Sequence, residues 1–328
     1  MKKEKNKRHL LRNSIIVVIV VVAIALTGIS NYLVSYAIGR SGDGGDRNVA
    51  LEVAENASDV ERLIAENRIK EEEKNETFFA QAECENVSIT SEDGLRLAGV
   101  YYPEPDSHNW ALVIHGYRGK HEWMNSYSRN YLEHGFQVLA PDLRACGESE
   151  GDYVGMGWLD RKDILLWIDW ILTQDPEAQI VLHGESMGAA TVMMTSGEET
   201  PDAVKVFVED CGYTSVWDVF ASELKLRFHL PEFPLMNTAS LMADIRADYN
   251  FREASALEQV KKCEKPMLFF HGTLDDFIPF EMEEILYQAK PGDNKEMIYA
   301  EGAAHCESHL VLGDDYWAAV WTFLEKYL

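Results

Sequence analysis

The segment Gly184-Glu185-Ser186-Met187-Gly188 indicates the fold class when it is considered together with the residues on either side of it. The apolar run 179–183 precedes it, and the run 189–194, rich in alanine and methionine, follows it. A glycine-x-serine-x-glycine segment between a strand and a helix is a tight turn in which flanking side chains would clash. Such a strained turn exposes the serine hydroxyl at the edge of the sheet. The pattern therefore predicts Ser186 as a nucleophile.

Short apolar runs surround this turn on both sides along the chain. A hairpin is predicted over 87–90 and 95–102, and the remaining runs are 111–115, 138–141, 180–183, 204–208, 267–270 and 297–299. Runs of this length without polar alternation are typical of strands buried in a parallel sheet. Helical patterns lie between them. We therefore expect a doubly wound α/β domain over 86–328, with a mostly parallel central sheet and helices on both faces.

The segment 212–265 interrupts this alternation. Its 54 residues are too long for one crossover helix, and they predict a small helical lid over the carboxyl edge of the sheet. Ligand pockets are mostly apolar, so Phe228, Phe233 and Met236 are candidate substrate-binding residues for an apolar acyl or aromatic group. The alternative, that these residues only pack the lid onto the domain, stays open.

A serine hydroxyl is a poor nucleophile until a base takes its proton, so the turn at Ser186 needs an acid and a histidine downstream. Both occur in that order. The strand at 266–270 leads to Asp275 and Asp276, either of which suits the role chemically, and His305 lies in the loop before the last helix. The predicted triad is therefore Ser186, His305 and one of the two aspartates.

Acyl transfer also needs donors for the negative charge that develops on the carbonyl oxygen. The backbone N–H groups of Met187 and Tyr117 are the candidates, because one follows the serine and the other lies in the loop after the third strand. We expect no metal and no cofactor. The five cysteines form no CxxC cluster, and the chain contains neither HExxH nor a glycine-rich phosphate loop.

Together these motifs resemble the alpha/beta hydrolase family, within the bacterial group of membrane-anchored hydrolases, cinnamoyl-type esterases and prolyl-aminopeptidase-like enzymes. The resemblance covers about 86–328. It rests on HGYRG at 115–119, APDLRACGES at 140–149, GESMG at 184–188, HGTLDDFIP at 271–279 and the loop of His305. The family places its acid four residues before the proline, which selects Asp275. Cys146 stands where the family usually has histidine, outside the triad.

The resemblance implies an alpha/beta-hydrolase fold and a serine hydrolase that cleaves a carboxylic ester or related acyl bond through an acyl-enzyme on Ser186. A serine peptidase or aminopeptidase with the same triad is the alternative. A hydrolase-fold protein that binds a ligand without turnover is a third interpretation. The expected partners are a small-molecule ester or a short peptide.

The first forty residues have a different character. Residues 1–13 are basic, and 14–39 form an uncharged run, long enough to cross a bilayer as one helix, for which about 20 apolar residues suffice. Basic flanks stay in the cytoplasm, so we expect a single-pass signal anchor in the cell membrane, with the N-terminus cytoplasmic and the catalytic domain extracellular. The alternative is a signal peptide cleaved at the small residues Ser35 and Ala37, which releases a secreted protein.

Charge separates these regions. The whole chain carries a net charge of −25, while residues 1–40 carry seven basic residues and only Glu4, so the remainder is strongly acidic. An acidic surface repels phosphate backbones, so we expect no nucleic acid partner. Residues 40–85 are predicted to be a flexible linker at 41–46 and a charged helical stalk that holds the domain off the membrane. A partner-binding helix is the alternative for the stalk.

Overall fold

A single eight-stranded sheet forms the centre of the computed structural model, which describes residues 2–40 and 57–328. The strand order is β1-β2-β4-β3-β5-β6-β7-β8. The first two strands pair antiparallel with each other, β2 pairs antiparallel with β4, and every other neighbouring pair is parallel. The strands are β1 (Glu85–Thr90), β2 (Arg96–Tyr102), β3 (Asn109–Ile114), β4 (Gln137–Pro141), β5 (Gln179–Glu185), β6 (Val204–Asp210), β7 (Met267–Gly272) and β8 (Lys295–Ala300). The predicted hairpin and mostly parallel sheet are confirmed.

Helices follow or precede almost every strand. They are α1 (Lys2–Ile38), α2 (Asp59–Phe79), α3 (Asn125–Glu133), α4 (Asp160–Gln174), α5 (Met187–Ser196), α6 (Val216–Phe228), α7 (Glu232–Ala247), α8 (Ala256–Val260), α9 (Phe280–Ala289), α10 (Ser308–Leu312) and α11 (Asp314–Leu324). Three of these helices, α6 to α8, lie between β6 and β7. They form the helical lid that the long connection predicts.

Both faces of the sheet are covered, and the alternation of side chains along β3 shows how. Trp110 and Leu112 belong to one buried cluster, together with residues of α1 and of α4 to α9. Ala111 and Val113 point the other way and join a second cluster with residues of α3 and α11. Successive side chains of a strand face opposite sides of a sheet, so each strand contributes to both clusters. The predicted doubly wound architecture is confirmed.

The N-terminal helix α1 has two parts. Its segment from His9 to Ile38 is long and apolar enough to span a membrane, and residues 9–25 are exposed. Beyond residue 25 one stripe of the helix faces the domain, where Ser30, Val34 and Ile38 are buried. This spacing of four residues places the three side chains on one face, which packs against α7. The run predicted as a membrane helix therefore also packs, at its end, against the lid.

The second helix falls in the charged stretch predicted as a stalk. Helix α2 lies against the domain beside α3 and α10, with Ile64 buried. Asn67 Nδ2 donates to the carbonyl of Leu310 at 2.8 Å, and Glu71 forms an ion pair with Arg129. Polar side chains that look solvated in the sequence are therefore paired with the domain. The predicted linker at 41–46 and the first part of the predicted stalk, 49–56, lie outside the described residues.

Candidate active site

The turn at Ser186 has the strained geometry that its sequence predicts. Ser186 follows β5 and is the N-cap residue of α5, and it has φ 58° and ψ −118°, in a region that side-chain-bearing residues rarely adopt. A Cβ atom on Gly184 would lie 2.2 Å from the Gly188 carbonyl oxygen, and one on Gly188 would lie 2.0 Å from the Ile114 carbonyl oxygen. Both glycines are therefore required because the strand, the turn and the helix approach one another too closely for a side chain.

Three loops at the carboxyl edge of the sheet bring the predicted triad together. Ser186 Oγ lies 2.8 Å from His305 Nε2, and His305 Nδ1 lies 2.7 Å from Asp275 Oδ2. Ser186 and Asp275 are buried, whereas Asp276 is exposed. The geometry therefore agrees with the choice of Asp275 that the family resemblance implies.

Backbone groups fix the aspartate in place. Asp275 Oδ1 accepts hydrogen bonds from the backbone N–H groups of Phe277, at 3.0 Å, and Ile278, at 2.8 Å. The other oxygen is left for His305. Because one oxygen is held by two backbone donors, the carboxylate cannot rotate freely, and this orients the imidazole ring.

Burial and neighbouring groups act in opposite directions on the two titratable partners. Burial alone would raise the pKa of Asp275, but hydrogen bonds from His271 and His305 outweigh it and hold that pKa well below its usual range. Burial alone would lower the pKa of His305, but its neighbours Cys306 and Asp275 raise it well above the ordinary value. The site therefore favours an ionised aspartate and stabilises the protonated form of the histidine.

The two candidate oxyanion donors belong to the same cavity as the serine. Tyr117 and Met187 line it together with Ser186. Backbone N–H groups that line a cavity beside a nucleophile can stabilise a tetrahedral oxyanion.

This cavity has a volume of about 300 Å³ and a mostly apolar wall. Phe228 and Met236 of the lid line it, as their selection from the sequence requires. Phe233 does not: its side chain lies on the surface, so its selection as a cavity residue was wrong. The reason is local. Phe233 has the extended angles φ −89° and ψ 131° inside α7, so it does not continue the inward stripe formed by Met236 and Ala239.

Part of the cavity wall comes from α1, which the sequence did not predict. Leu33, Tyr36 and Ala37 line the cavity. The loop that carries the candidate oxyanion donor also binds the end of this helix, because Tyr117 Oη donates to the Ala37 carbonyl at 2.5 Å. Arg118 Nη2 donates to the carbonyls of Tyr36, at 2.8 Å, and Gly39, at 2.9 Å.

These bonds satisfy the last carbonyls of α1, which have no partner within the helix, and they place a positive charge at its negative end. One signal in the sequence points to the contact. The uncharged run of 26 residues is longer than a bilayer requires, and after Ser14 its polar residues lie in the second half.

A group of possible metal ligands lies beside the triad. One ligand atom each from Cys211, His305 and Cys306 lies within 4.8 Å of the other two, and the two sulfur atoms are 3.8 Å apart. Both ring nitrogens of His305 already lie within hydrogen-bonding distance of Ser186 and Asp275. A metal here would have to displace one of them, so the donor set does not fit a resident metal ion alongside the triad.

A mostly parallel sheet covered by helices, with a serine, a histidine and an aspartate at its carboxyl edge, is typical of a hydrolase-fold domain. A model of the alpha/beta hydrolase family matches residues 111–320. The chain therefore belongs to the alpha/beta hydrolase family, as its motifs suggest.

The chain is also similar to individual proteins. The chain is similar to the uncharacterized protein YqkD of Bacillus subtilis, with 29% identity over 272 residues that cover 81% of this chain and 89% of that protein. The esterase Pf2001 of Pyrococcus furiosus superposes with a TM-score of 0.62 at 24% identity, covering 75% of this chain and 93% of the esterase.

The acylaminoacyl peptidase of Pyrococcus horikoshii gives a TM-score of 0.53 at 20% identity, covering 76% of this chain and 43% of that chain. At these identities the structural similarity shows the fold alone, and it includes both an esterase and a peptidase.

Proposed function

We propose that this protein is a serine hydrolase that cleaves a carboxylic ester or related acyl bond. The observation that carries the proposal is the continuous chain of hydrogen bonds from Ser186 through His305 to Asp275, at the wall of an apolar cavity. Ser186 Oγ attacks the carbonyl carbon of the substrate while His305 Nε2 takes its proton. The backbone N–H groups of Tyr117 and Met187 bind the oxyanion that forms.

In the later steps His305 acts first as an acid and then again as a base. The tetrahedral intermediate collapses, the bond from carbon to the leaving oxygen breaks, and His305 donates its proton to the leaving alcohol. A water molecule then gives a proton to His305 and attacks the acyl-enzyme, and Ser186 leaves with that proton. Asp275 stays ionised throughout and stabilises the imidazolium, in agreement with its lowered pKa.

The cavity favours an ester over the substrate of an aminopeptidase. An aminopeptidase needs a free carboxylate to hold the amine of its substrate. Glu223 lines the cavity but forms an ion pair with Arg227. Glu232 and Asp244 are exposed on α7. The apolar wall therefore suits an acyl chain, and the peptidase stays the second candidate because it uses the same triad.

We also infer that α1 is a signal anchor and that the protein is a single-pass membrane protein, with residues 1–13 in the cytoplasm and the domain outside. Cleavage after Ala37 would remove Leu33, Tyr36 and Ala37, which form part of the cavity wall. It would also remove the buried side chain of Val34 from the core. The loss of these contacts argues against a cleaved, secreted form.

The proposed activity is tested with the full-length protein in detergent. It is offered p-nitrophenyl esters of graded chain length beside aminoacyl and prolyl p-nitroanilides. We expect ester turnover, and we expect Ser186→Ala to lower kcat by about 10⁴-fold or more. Ser196→Ala is the matched control, because Ser196 is a buried serine at the other end of α5.

Equal turnover by Ser186→Ala and the parent protein would refute the nucleophile. A preference for amides over esters would favour the peptidase. No turnover of any substrate would favour a protein that only binds its ligand.

A further inference from the structure

The length of α1 relates the cavity to the membrane surface. The candidate span contains 30 residues, which is about 45 Å of helix. The hydrocarbon core is about 30 Å thick and takes about 20 residues, so about ten residues extend beyond it. Those last residues are the ones that pack on the domain, beginning at the buried Ser30. The lid is therefore joined to the helix where the helix leaves the hydrocarbon.

Specific contacts hold this joint together. Ser30 Oγ donates to Thr238 Oγ1 of α7 at 2.7 Å. About two turns further along α7, Arg246 Nη1 donates to Asn31 Oδ1 at 2.7 Å and to Ser35 Oγ at 3.0 Å. Helix α7 therefore lies alongside the emerging end of α1, within reach of the bilayer surface.

The same helix exposes large apolar side chains. Phe233, Leu241 and Ile245 of α7 are 77%, 59% and 68% exposed, and we call these three residues the apolar lid face. Ile245 follows Thr238 by seven residues, or two helical turns, so it lies on the side of α7 that contacts α1. Single exposed apolar residues are common, but several of them beside a membrane helix indicate a surface that meets lipid.

The cavity lies close above this surface. From Ser30 to Ala37 the helix rises about 10 Å, and Leu33, Tyr36 and Ala37 form part of the cavity wall within that distance. Tyr32 is 60% exposed and stacks on Tyr36, with ring centroids 6.2 Å apart. Tyrosine is enriched at the level of the lipid headgroups, which agrees with the bilayer surface lying at this turn of α1.

We propose that the apolar lid face lies in the outer interfacial layer of the bilayer, beside α1, and that the substrate is an acyl ester resident in that bilayer. Its acyl chain enters the cavity along the wall formed by α1, and its ester carbonyl reaches Ser186. This inference rests on the proposed ester hydrolysis and on the proposed anchor. It names the substrate class of that site.

The first test compares two substrates in one preparation. The full-length protein is reconstituted into phosphatidylcholine vesicles, and its retention after a carbonate wash establishes the anchor. Turnover is measured for a diacylglycerol placed in the vesicles and for water-soluble p-nitrophenyl acetate. We expect the double variant Leu241→Asp/Ile245→Asp to lose about tenfold or more on diacylglycerol, because charges oppose insertion of the face, and to keep its acetate turnover.

Ile285→Asp is the matched control, because Ile285 is 48% exposed on α9, which packs against α8 and β7. It is expected to change neither rate. Equal loss on both substrates, or no loss by the double variant, would overturn the proposal. If the parent protein did not hydrolyse p-nitrophenyl acetate, the proposed function itself would be refuted.

The second test does not depend on activity. Cys84 is the exposed cysteine and the other four are buried, so a Cys84→Ser background permits selective labelling. A nitroxide is attached at Ile245→Cys and, as the control, at Ile285→Cys. We expect the label at 245 to collide more with dissolved oxygen than with a water-soluble nickel chelate, and the label at 285 to show the reverse. A preference for the nickel chelate at both positions would overturn the placement of the face.

Discussion

Asp275 and Asp276 are neighbours in the chain but occupy different environments. Asp275 is buried, binds His305, and has a lowered pKa, whereas Asp276 is exposed. Only a carboxylate that touches the imidazole orients it and stabilises its positive charge. The difference of one residue therefore separates a positioned partner of His305 from a surface acid.

Paired substitutions measure this difference. We expect Asp275→Asn to lower kcat by about 10³- to 10⁴-fold, because an amide neither balances the imidazolium charge nor selects the same tautomer. Asp276→Asn, the matched control, should change kcat by less than about twofold, since exposed substitutions away from such features have small effects. Turnover of a short-chain p-nitrophenyl ester gives both values. A larger loss in Asp276→Asn would exclude Asp275 from the triad.

Among the elements, the contact between α1 and α7 joins the N-terminal helix to the lid beside the cavity. Arg246 forms the polar centre of this contact, with hydrogen bonds to Asn31 and Ser35, and its guanidinium lies over the ring of Tyr153. If the contact loosens, the cavity wall made by Leu33 and Ala37 shifts while the triad, held by three loops of the sheet, stays in place. Substrate binding and chemistry should therefore respond differently.

We expect Arg246→Ala to raise KM for a long-chain ester by about threefold to tenfold and to leave kcat nearly unchanged, because hydrogen bonds made by a charged group contribute about 1.5 to 3 kcal/mol when buried and less when exposed. Steady-state kinetics with p-nitrophenyl decanoate measure the effect. Arg252→Ala is the control, since Arg252 stacks on Trp217 of α6. The same rise in KM in both variants, or a loss confined to kcat, would contradict a role for the contact in forming the cavity.

At the scale of the whole molecule, a buried acidic cluster lies beneath the site. Burial raises the pKa of Glu283 to about 8, and burial together with the Glu283 carboxyl raises the pKa of Glu209 well above its ordinary value. His271 Nδ1 lies 3.5 Å from Glu283 Oε2. Two carboxyl groups in one low-dielectric site cannot both ionise, so the pair retains a proton near neutral pH.

This cluster makes stability depend on pH. The folded protein keeps a proton on Glu283 that the unfolded chain releases above its ordinary pKa of 4.5. The stabilisation that this proton gives the folded state is therefore complete below pH 4.5, and it is lost as pH rises through about 8. We expect the free energy of unfolding in detergent to fall between pH 5 and 8, by up to about 1.4 kcal/mol per pH unit. The thermal midpoint, measured across this range, should fall with it.

Glu283→Gln removes the titrating group and keeps its shape, so its midpoint should fall less over the same range. The exposed Glu284→Gln is the control and should follow the parent protein. An equal slope in Glu283→Gln and the parent protein would show that another group holds the proton.

Local patterns along the chain were enough to predict the sheet, the turn at Ser186 and the order of a serine, an acid and a histidine. Each of these follows from local pattern. Short apolar runs define the strands, and two glycines define the turn. The carboxyl ends of parallel strands meet at one edge, so residues that follow β5, β7 and β8 converge there. Spacing along the chain was enough to predict Ser186, His305 and one of two neighbouring aspartates, and the family resemblance selected Asp275.

The residues that enclose the site became clear only from the packing of the folded chain. Three features depend on contacts between segments far apart in the chain: the cavity wall from Leu33 and Ala37, the packing of α2 on the domain, and the exposure of Phe233. Arg246 and Asn31, for example, form a hydrogen bond although they are 215 residues apart. An apolar helix has the same pattern whether its neighbour is lipid or protein, and a polar side chain has the same pattern whether its partner is water or another residue. Periodicity records that a face is buried, and the packed structure alone shows against what.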